Sequence, residues 1–482
     1  MKTTLFARLK IPHVFTLLTG VVLFCSLLTY VVPSGSYQRE ARTYGELTRT
    51  VVLPGTYEQL PKHFSPKGFL LGDPVENRAT PVGLVGFLSA IPRGMEAAAD
   101  IIFFIFIIGG VFGILQRTGT IAALIQKLLD RFAHSGPLLT VVLMTVLAVG
   151  GSTLGMGEEF IPLVPIFLIV ANRLGYDRIY GLALVSLSSA VGFASATTNP
   201  FTVQIAQGIA EIPPGSGLLF RLVFFACSLV VMLAYVLRYG SRVKADPTRS
   251  LLGESGFDLP DHQFERQALT AAHLWILLAA AIIFAFVLYA VQSLGWWLAE
   301  MSGGFLLIGF AAAAIARLSI SDTTQAFVKG MEEMVVAALV VGFARGIQVV
   351  LVDGQIMDSL IYAAAGLLQI FPRYIAAEGM FLFQSVLNFF IPSGSGQAAV
   401  TMPLMAPLAD VLGLTRQTAV FAFTSGDGFS NTLIPTSGVL MAMLALAKIP
   451  YEKWLRFVFP LFVQLSLLAG IFLAIAVWID FQ

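Results

Sequence analysis

Four short polar clusters interrupt long apolar stretches of this chain. They are Ser152, Thr153, Gly155 and Gly157; Thr197, Thr198, Asn199 and Pro200; Ser393, Gly394, Ser395, Gly396 and Gln397; and Ser430, Asn431, Thr432, Thr436 and Ser437. Glycine and proline break helices, and serine, threonine and asparagine can satisfy the backbone groups so freed. A helix that breaks inside an apolar medium exposes N–H groups of partial positive charge, suited to a carboxylate, and carbonyls suited to a cation. Ionisable residues lie close by. Glu158 and Glu159 follow the first cluster, Asp427 sits in Ser425-Gly426-Asp427-Gly428, and Arg345 lies within Met334–Val352. An ionised side chain at membrane depth costs about 2.5–3.5 kcal/mol on insertion scales, so each needs a reason. These residue types suit reversible binding of a small charged solute. Glu158, Glu159 and Asp427 would receive a cationic group or a coupling ion, and helix ends an anionic group. The plainer alternative is that the small polar residues only cap half-helices, and that Arg345 pairs structurally with an acidic neighbour. Asp353 and Asp358 are expected to face water at a helix end.

The elements that must hold these clusters are membrane helices. Of 482 residues, 57% are hydrophobic and 12% charged, with a mean hydropathy of +0.83. Soluble domains carry about 25% charged residues, so the apolar excess calls for lipid as solvent. The net charge of +1 points to no nucleic-acid partner. Cys25 and Cys227 each lie in an apolar run and say little about redox compartment. A span needs about 20 mostly apolar residues. Candidates are Val14–Val32, Ala98–Leu115, Gly217–Leu237, His273–Gln292, Trp297–Ile315, Met334–Val352 and Trp454–Ile479. Val14–Val32 exceeds a signal-peptide core of roughly 7–15 residues and is expected to be a retained helix. Two re-entrant hairpins are expected, Pro137–Asn172 turning at Gly150–Gly157 and Tyr374–Leu412 turning at Pro392–Gln397. Two broken helices are expected over Ile179–Ala210 and Gln417–Ala447. The predicted fold is therefore an all-α polytopic membrane protein with about nine crossings.

Lysine and arginine in short loops set orientation. Lys2, Arg8 and Lys10 place the N-terminus inside. Arg117, Lys127, Arg131, Arg173, Arg178, Arg238, Arg242, Lys244, Arg249, Arg317, Lys329, Lys448, Lys453 and Arg456 also fall inside. The C-terminus is then outside, and residues 34–97 form a long external insertion. Its Arg39, Arg42, Arg49, Lys62 and Lys67 do not overrule the assignment, because long loops translocate largely regardless of charge.

The two halves repeat. Gly94-Met95-Glu96 recurs as Gly330-Met331-Glu332 and Gly110 as Gly346, both shifted by 236. Gly175-Tyr176-Asp177-Arg178 recurs as Gly413-Leu414-Thr415-Arg416, Pro200 matches Pro435, and Pro213 matches Pro450. Paired spans in the two halves cross in opposite directions. Residues 1–240 then carry the first inverted repeat, 241–295 a cytoplasmic linker and connector helix, and 296–482 the second repeat. Inverted repeats with broken helices meeting near the midplane are a signature of secondary transporters.

Other classes fit worse. There is no HExxH, GxSxG or GxxxxGK[ST], so metalloprotease, hydrolase and ATPase chemistry lack their motifs. His13, His63, His134, His262 and His273 have no close metal-ligand partner in the sequence, and no metal or organic cofactor is expected. A channel remains as a second class, but hairpins entering from opposite faces suit alternating access better than a pore.

Gly155-Met156-Gly157-Glu158-Glu159, Thr198-Asn199-Pro200-Phe201, Ala344-Arg345-Gly346-Ile347-Gln348 and Pro392-Ser393-Gly394-Ser395-Gly396 carry a resemblance. From first helix to last the chain resembles the YfcC branch of the C4-dicarboxylate anaerobic carrier (DcuC-like) family, within the ion transporter superfamily. The resemblance implies a homodimer, a scaffold domain and a transport domain that moves as an elevator in a bacterial inner membrane. Its branch is described as basic amino acid antiporters, and other members carry C4-dicarboxylates. The expected function is secondary transport of a small molecule, with exchange of a basic amino acid such as arginine or ornithine first. A C4-dicarboxylate comes second, then other amino acids or peptides. Whether sodium, protons or counter-substrate drives the cycle is left open by the residues.

Overall fold

The computed structural model describes residues 14–44, 47–132, 135–258 and 267–482. Lys2, Arg8, Lys10, His13, His134, His262 and the middle of the linker lie outside the described residues. In chain order the first part contains helix α1 (Val14–Val31), strands β1 (Ser34–Ser36), β2 (Arg39–Tyr44), β3 (Leu47–Val52) and β4 (Glu58–Leu60), and helices α2 (Pro66–Leu70), α3 (Leu84–Ala97), α4 (Ala99–Arg117) and α5 (Thr120–Phe132). Helices α6 (Gly136–Leu154) and α7 (Val164–Arg173) follow, joined by a short tight helix over Glu158–Leu163. Next come α8 (Arg178–Ala194), a widened turn over Pro200–Gln204, α9 (Ile205–Ile209) and α10 (Leu218–Ala245). The remainder is α11 (Ala271–Ser293), α12 (Leu298–Ala316), α13 (Ile320–Glu333), α14 (Val335–Asp353), α15 (Met357–Leu368), α16 (Arg373–Leu387), α17 (Gly394–Val411), α18 (Arg416–Ser430), α19 (Gly438–Ala447) and α20 (Tyr451–Trp478).

This is an all-α polytopic membrane protein. Among the described residues eight helices are long and apolar enough to cross a membrane. Seven match the uninterrupted spans expected from hydropathy, and the eighth is α6, the first arm of the first hairpin. The interruptions fall where glycine, proline and small polar residues cluster. Gly155 ends α6 in the left-handed conformation at φ 69°, a region costly for other L-residues. Ser393 and Ser437 open α17 and α19 by accepting hydrogen bonds from Gly396 N and Leu440 N.

Two groups of helices can be distinguished by packing. In the first, α3 crosses α14 and α4 crosses α13, with α1 and α12 alongside. The crossings are backbone to backbone. A Cβ on Gly94 would lie 2.4 Å from Gly346 N, and one on Gly330 would lie 2.2 Å from Gly109 O. Small residues allow such approaches, and dispersion then holds the helices where water provides no hydrophobic force. The ion pair of Arg93 with Asp353 ties α3 to the end of α14. In the second group, α6 and α7 pack on α8, α16 and α17 pack on α18, and α10 and α20 flank them. Helices α3 and α4 occupy the same positions as α13 and α14 after a shift of 236.

One expectation is corrected and two gain detail. The last part of residues 34–97 is α3, which packs along α14. This helix is shorter than a span and contains Pro92, Arg93 and Glu96, so hydropathy alone did not mark it. Asp358 does not face water. It is 4% exposed and accepts from Tyr37 N (2.9 Å) and Arg39 Nη2 (2.6 Å), anchoring the insertion on α15. The region expected as linker from Ser241 begins in helix, since α10 continues to Ala245. Elsewhere in the insertion Asp73 accepts from Ser65 and His63 beside Lys67, which holds its carboxyl down to about 2.

Candidate functional site

A cavity of about 360 Å³ lies where the two helix groups meet, at the lower end of the range for small-molecule pockets. The hairpin group contributes Gly155, Gly157, Glu158 and Glu159 from the first tip, and Ser393, Gly394 and Ser395 from the second. It also contributes Asn431, Thr436 and Ser437 from the second break. The crossed group contributes Asp100 of α4 and Val341 and Arg345 of α14, with Trp297 at the start of α12. The caps of α17 and α19 both line this space, so two helix N-termini open onto it. Phe201 and Trp297 meet edge to face at 4.8 Å across the junction of the groups.

The four clusters divide in their roles. Ser152 Oγ donates to Ser195 O (3.1 Å) and accepts from Thr197 N (3.2 Å). Thr153 donates to Val149 O, and Thr198 donates to Thr153 O. These bonds tie the first hairpin to the first helix break and leave the four side chains outside the cavity lining. Asn199 caps the turn that begins at Pro200, accepting from Phe201 N (2.9 Å), while its Nδ2 has no partner among the described residues. In the second half Gln397 donates to Gln384 O (2.9 Å). Ser430 donates to Gly426 O (2.8 Å), and Thr432 donates to Phe429 O (2.8 Å). Gly396 lies one residue inside the lining of that tip, its N–H on the Ser393 cap. The cavity therefore receives part of three clusters, while Thr197, Thr198, Asn199 and Pro200 of the first break lie outside its lining.

Charge is concentrated in the lining. Glu158 and Glu159 stand at the start of the tight helix, and Glu159 accepts from Gly157 N (2.8 Å). Arg345 has no hydrogen bond or ion-pair partner among the described residues. Asp100 lies near enough to act electrostatically on both Glu158 and Arg345. Asp427 is set apart. It is fully buried in α18, and neither carboxylate oxygen has a hydrogen-bond partner among the described residues. A Cβ on Gly394 would lie 2.6 Å from Thr202 Cγ2 and 3.4 Å from Asp427 Oδ2, which locates Asp427 beneath the second tip. Thr202 and Thr436 likewise have hydroxyls without partners there. Such buried groups are costly unless something satisfies them.

Sequence reasoning missed several residues. Asp100 sits at the edge of a span, where an acid reads as a solvated end. Ser186, Ser189 and Phe193 line the cavity from inside the apolar segment leading to the first break. Asn388 donates to Asp427 O (2.7 Å), Ser430 Oγ (2.8 Å) and Asn431 Oδ1 (3.0 Å), holding the second break together. Arg221, 1% exposed in α10, donates to Thr424 and Gln417. An intramembrane arginine was the available signal for it.

Interrupted helices converging on one charged cavity within a polytopic membrane protein are the build of a transporter. Comparison with known proteins gives the same class. The model of the family described as "C4-dicarboxylate anaerobic carrier" matches residues 11–478, and the chain belongs to that family. The chain is 33% identical over 475 residues to YfcC of Escherichia coli (strain K12), whose name carries basic amino acid antiport as a proposal; the match covers 93% of each protein. A protein of Haemophilus influenzae is 28% identical over 516 residues, covering 97% of each. Among solved structures, the YdaH transporter of Alcanivorax borkumensis overlaps 97% of this chain and 99% of its own at a TM-score of 0.46 and 15% identity, a likeness too distant to carry an argument.

Proposed function

We propose that this transporter exchanges basic amino acids such as arginine and ornithine by alternating access of the elevator type. The observation that supports this most is the charge of the cavity, where Asp100, Glu158 and Glu159 outnumber Arg345. Three carboxylates suit a ligand with a cationic side chain, and the N-termini of α17 and α19 suit its α-carboxylate. The name of the relative YfcC agrees. The hairpin group is the moving body in this reading, and the crossed group is the scaffold. Asp427, with Thr202 beside it, is the candidate for a coupling proton or sodium ion, because either would relieve its unpartnered carboxylate. We further place the protein as a homodimer in the bacterial inner membrane, N-terminus cytoplasmic and C-terminus external, in keeping with the loop charges.

A second reading is a C4-dicarboxylate carrier. The family description and the unpaired Arg345 favour it. Labelled arginine and labelled succinate, offered to proteoliposomes preloaded with ornithine, succinate or nothing, separate the two. Arginine uptake stimulated by internal ornithine is expected. Succinate uptake without arginine exchange overturns the first reading, and flux unaffected by internal solute returns the channel class.

A further inference from the structure

Arg345 and two of the cavity's carboxylates, Glu158 and Glu159, belong to different helix groups, while Asp100 of α4 shares the crossed group with Arg345 and acts on it electrostatically. Arg345 is on α14, whose backbone is interlocked with α3 at Gly94, Gly342 and Gly346, where a Cβ on Gly94 would meet main-chain atoms at 2.4–2.8 Å. A helix held by such contacts cannot slide past its neighbour without both separating. Glu158, Glu159 and Ser395 are on the hairpin group. The hairpin group meets α14 through α19, where a Cβ on Gly438 would lie 3.2 Å from Val341 Cα and Cγ2, against 2.4 Å at Gly94. The guanidinium is mostly enclosed, lines the cavity and has no ion-pair partner among the described residues. A cation so placed is costly unless an anion comes to it.

We propose that Arg345 receives the carboxylate of the transported solute from the scaffold side, so that the solute bridges the two bodies in this state and leaves Arg345 behind when the hairpin group moves. The assignment rests on the two-body transporter reading. It holds for either candidate solute, since arginine and succinate both carry a carboxylate. Its consequence is a sided affinity. The arginine strengthens binding from one face of the membrane and contributes nothing from the other. A residue that travelled with the solute, or one that only stabilised the fold, would act equally on both faces.

The experiment measures KM in right-side-out and inverted membrane vesicles, using whichever of labelled arginine and succinate the wild type carries. For Arg345→Gln, KM is expected to rise about tenfold in one orientation, the effect of losing one charge-assisted hydrogen bond, and to stay unchanged in the other. Arg345→Lys should recover most of the loss. Equal shifts in both orientations, or no shift in either, overturn the proposal. A second arm needs no variant and is used if arginine is the solute. Agmatine, which is arginine without its carboxylate, competes with arginine in wild-type vesicles, and its handicap relative to unlabelled arginine should differ between orientations. An equal handicap on both faces overturns the proposal independently of whether Arg345→Gln folds. If the wild type carries neither solute, the functional reading fails. Transport with symmetric affinities leaves that reading standing and removes this one alone.

Discussion

At the residue scale, the buried groups differ in how far they are satisfied. Ser152 and Ser430 complete hydrogen bonds inside the breaks. The amide nitrogens of Gln397 and Asn388 donate there too, although their oxygens have no partner among the described residues, and replacing either side chain leaves acceptors without a donor. Asn388→Ala should therefore lower the melting temperature, with a cost of about 1–3 kcal/mol for the orphaned acceptors, and a thermal-shift measurement in detergent checks it. Asp427 is the opposite case, with both oxygens free of partners among the described residues. Asp427→Asn removes a buried carboxyl group that no partner holds. We expect folded protein in the membrane whose arginine exchange has fallen at least about tenfold. Glu158→Gln should do the same through the cavity. Wild-type exchange in both variants would take these carboxylates out of the site.

At the scale of elements, the crossed group depends on glycines where backbones touch. Gly330→Ala would drive a methyl to 2.2 Å from Gly109 O, so α13 and α4 must move apart. Overpacking of this kind costs roughly 1–3 kcal/mol. Gly303, in α12, has nothing within 4 Å of a Cβ, and Gly303→Ala is the matched control. We expect the first variant to melt at a lower temperature and the second to match the wild type. Equal melting temperatures would mean the crossing is looser than described. The same scale explains the polar breaks. A half-helix needs its terminal N–H groups satisfied, and Ser393 and Ser437 do so while facing the cavity.

At the scale of the whole molecule, the proposed cycle requires the hairpin group to slide along α14. The contact of Gly438 with Val341 lies on that path. Val341→Cys with Gly438→Cys, in a chain with Cys25 and Cys227 replaced by alanine, brings two thiols within disulfide reach. Oxidation should stop exchange and reduction should restore it. Full exchange in cross-linked protein would argue against relative movement at this boundary. Native mass spectrometry from mild detergent tests the dimer, and a monomeric mass would count against it.

Much of this protein was legible without coordinates, for physical reasons. Lipid demands about 20 apolar residues per span, so Val14–Val31 and Ala99–Arg117 announce themselves by composition. Breaks inside apolar segments demand glycine, proline and small polar residues, so the tips at Gly155 and Gly394 could be located. Short helices such as α3 carry no comparable signal, because half a span interrupted by Pro92 and Arg93 resembles a loop. The division of each polar cluster also lay beyond the sequence. Ser152 and Ser393 look alike as residues, yet one is consumed by hydrogen bonds at the break and the other caps a helix at the cavity. Asp358 was expected to face water and Asp100 drew no expectation, but the insertion buries the first and the cavity takes in the second. Sequence alone determined which segments enter lipid and where they break, since both follow from local solvation. Tertiary structure decided which broken ends face one another and which charges they share, since those depend on contacts between residues more than 200 positions apart, such as Gly94 with Gly346.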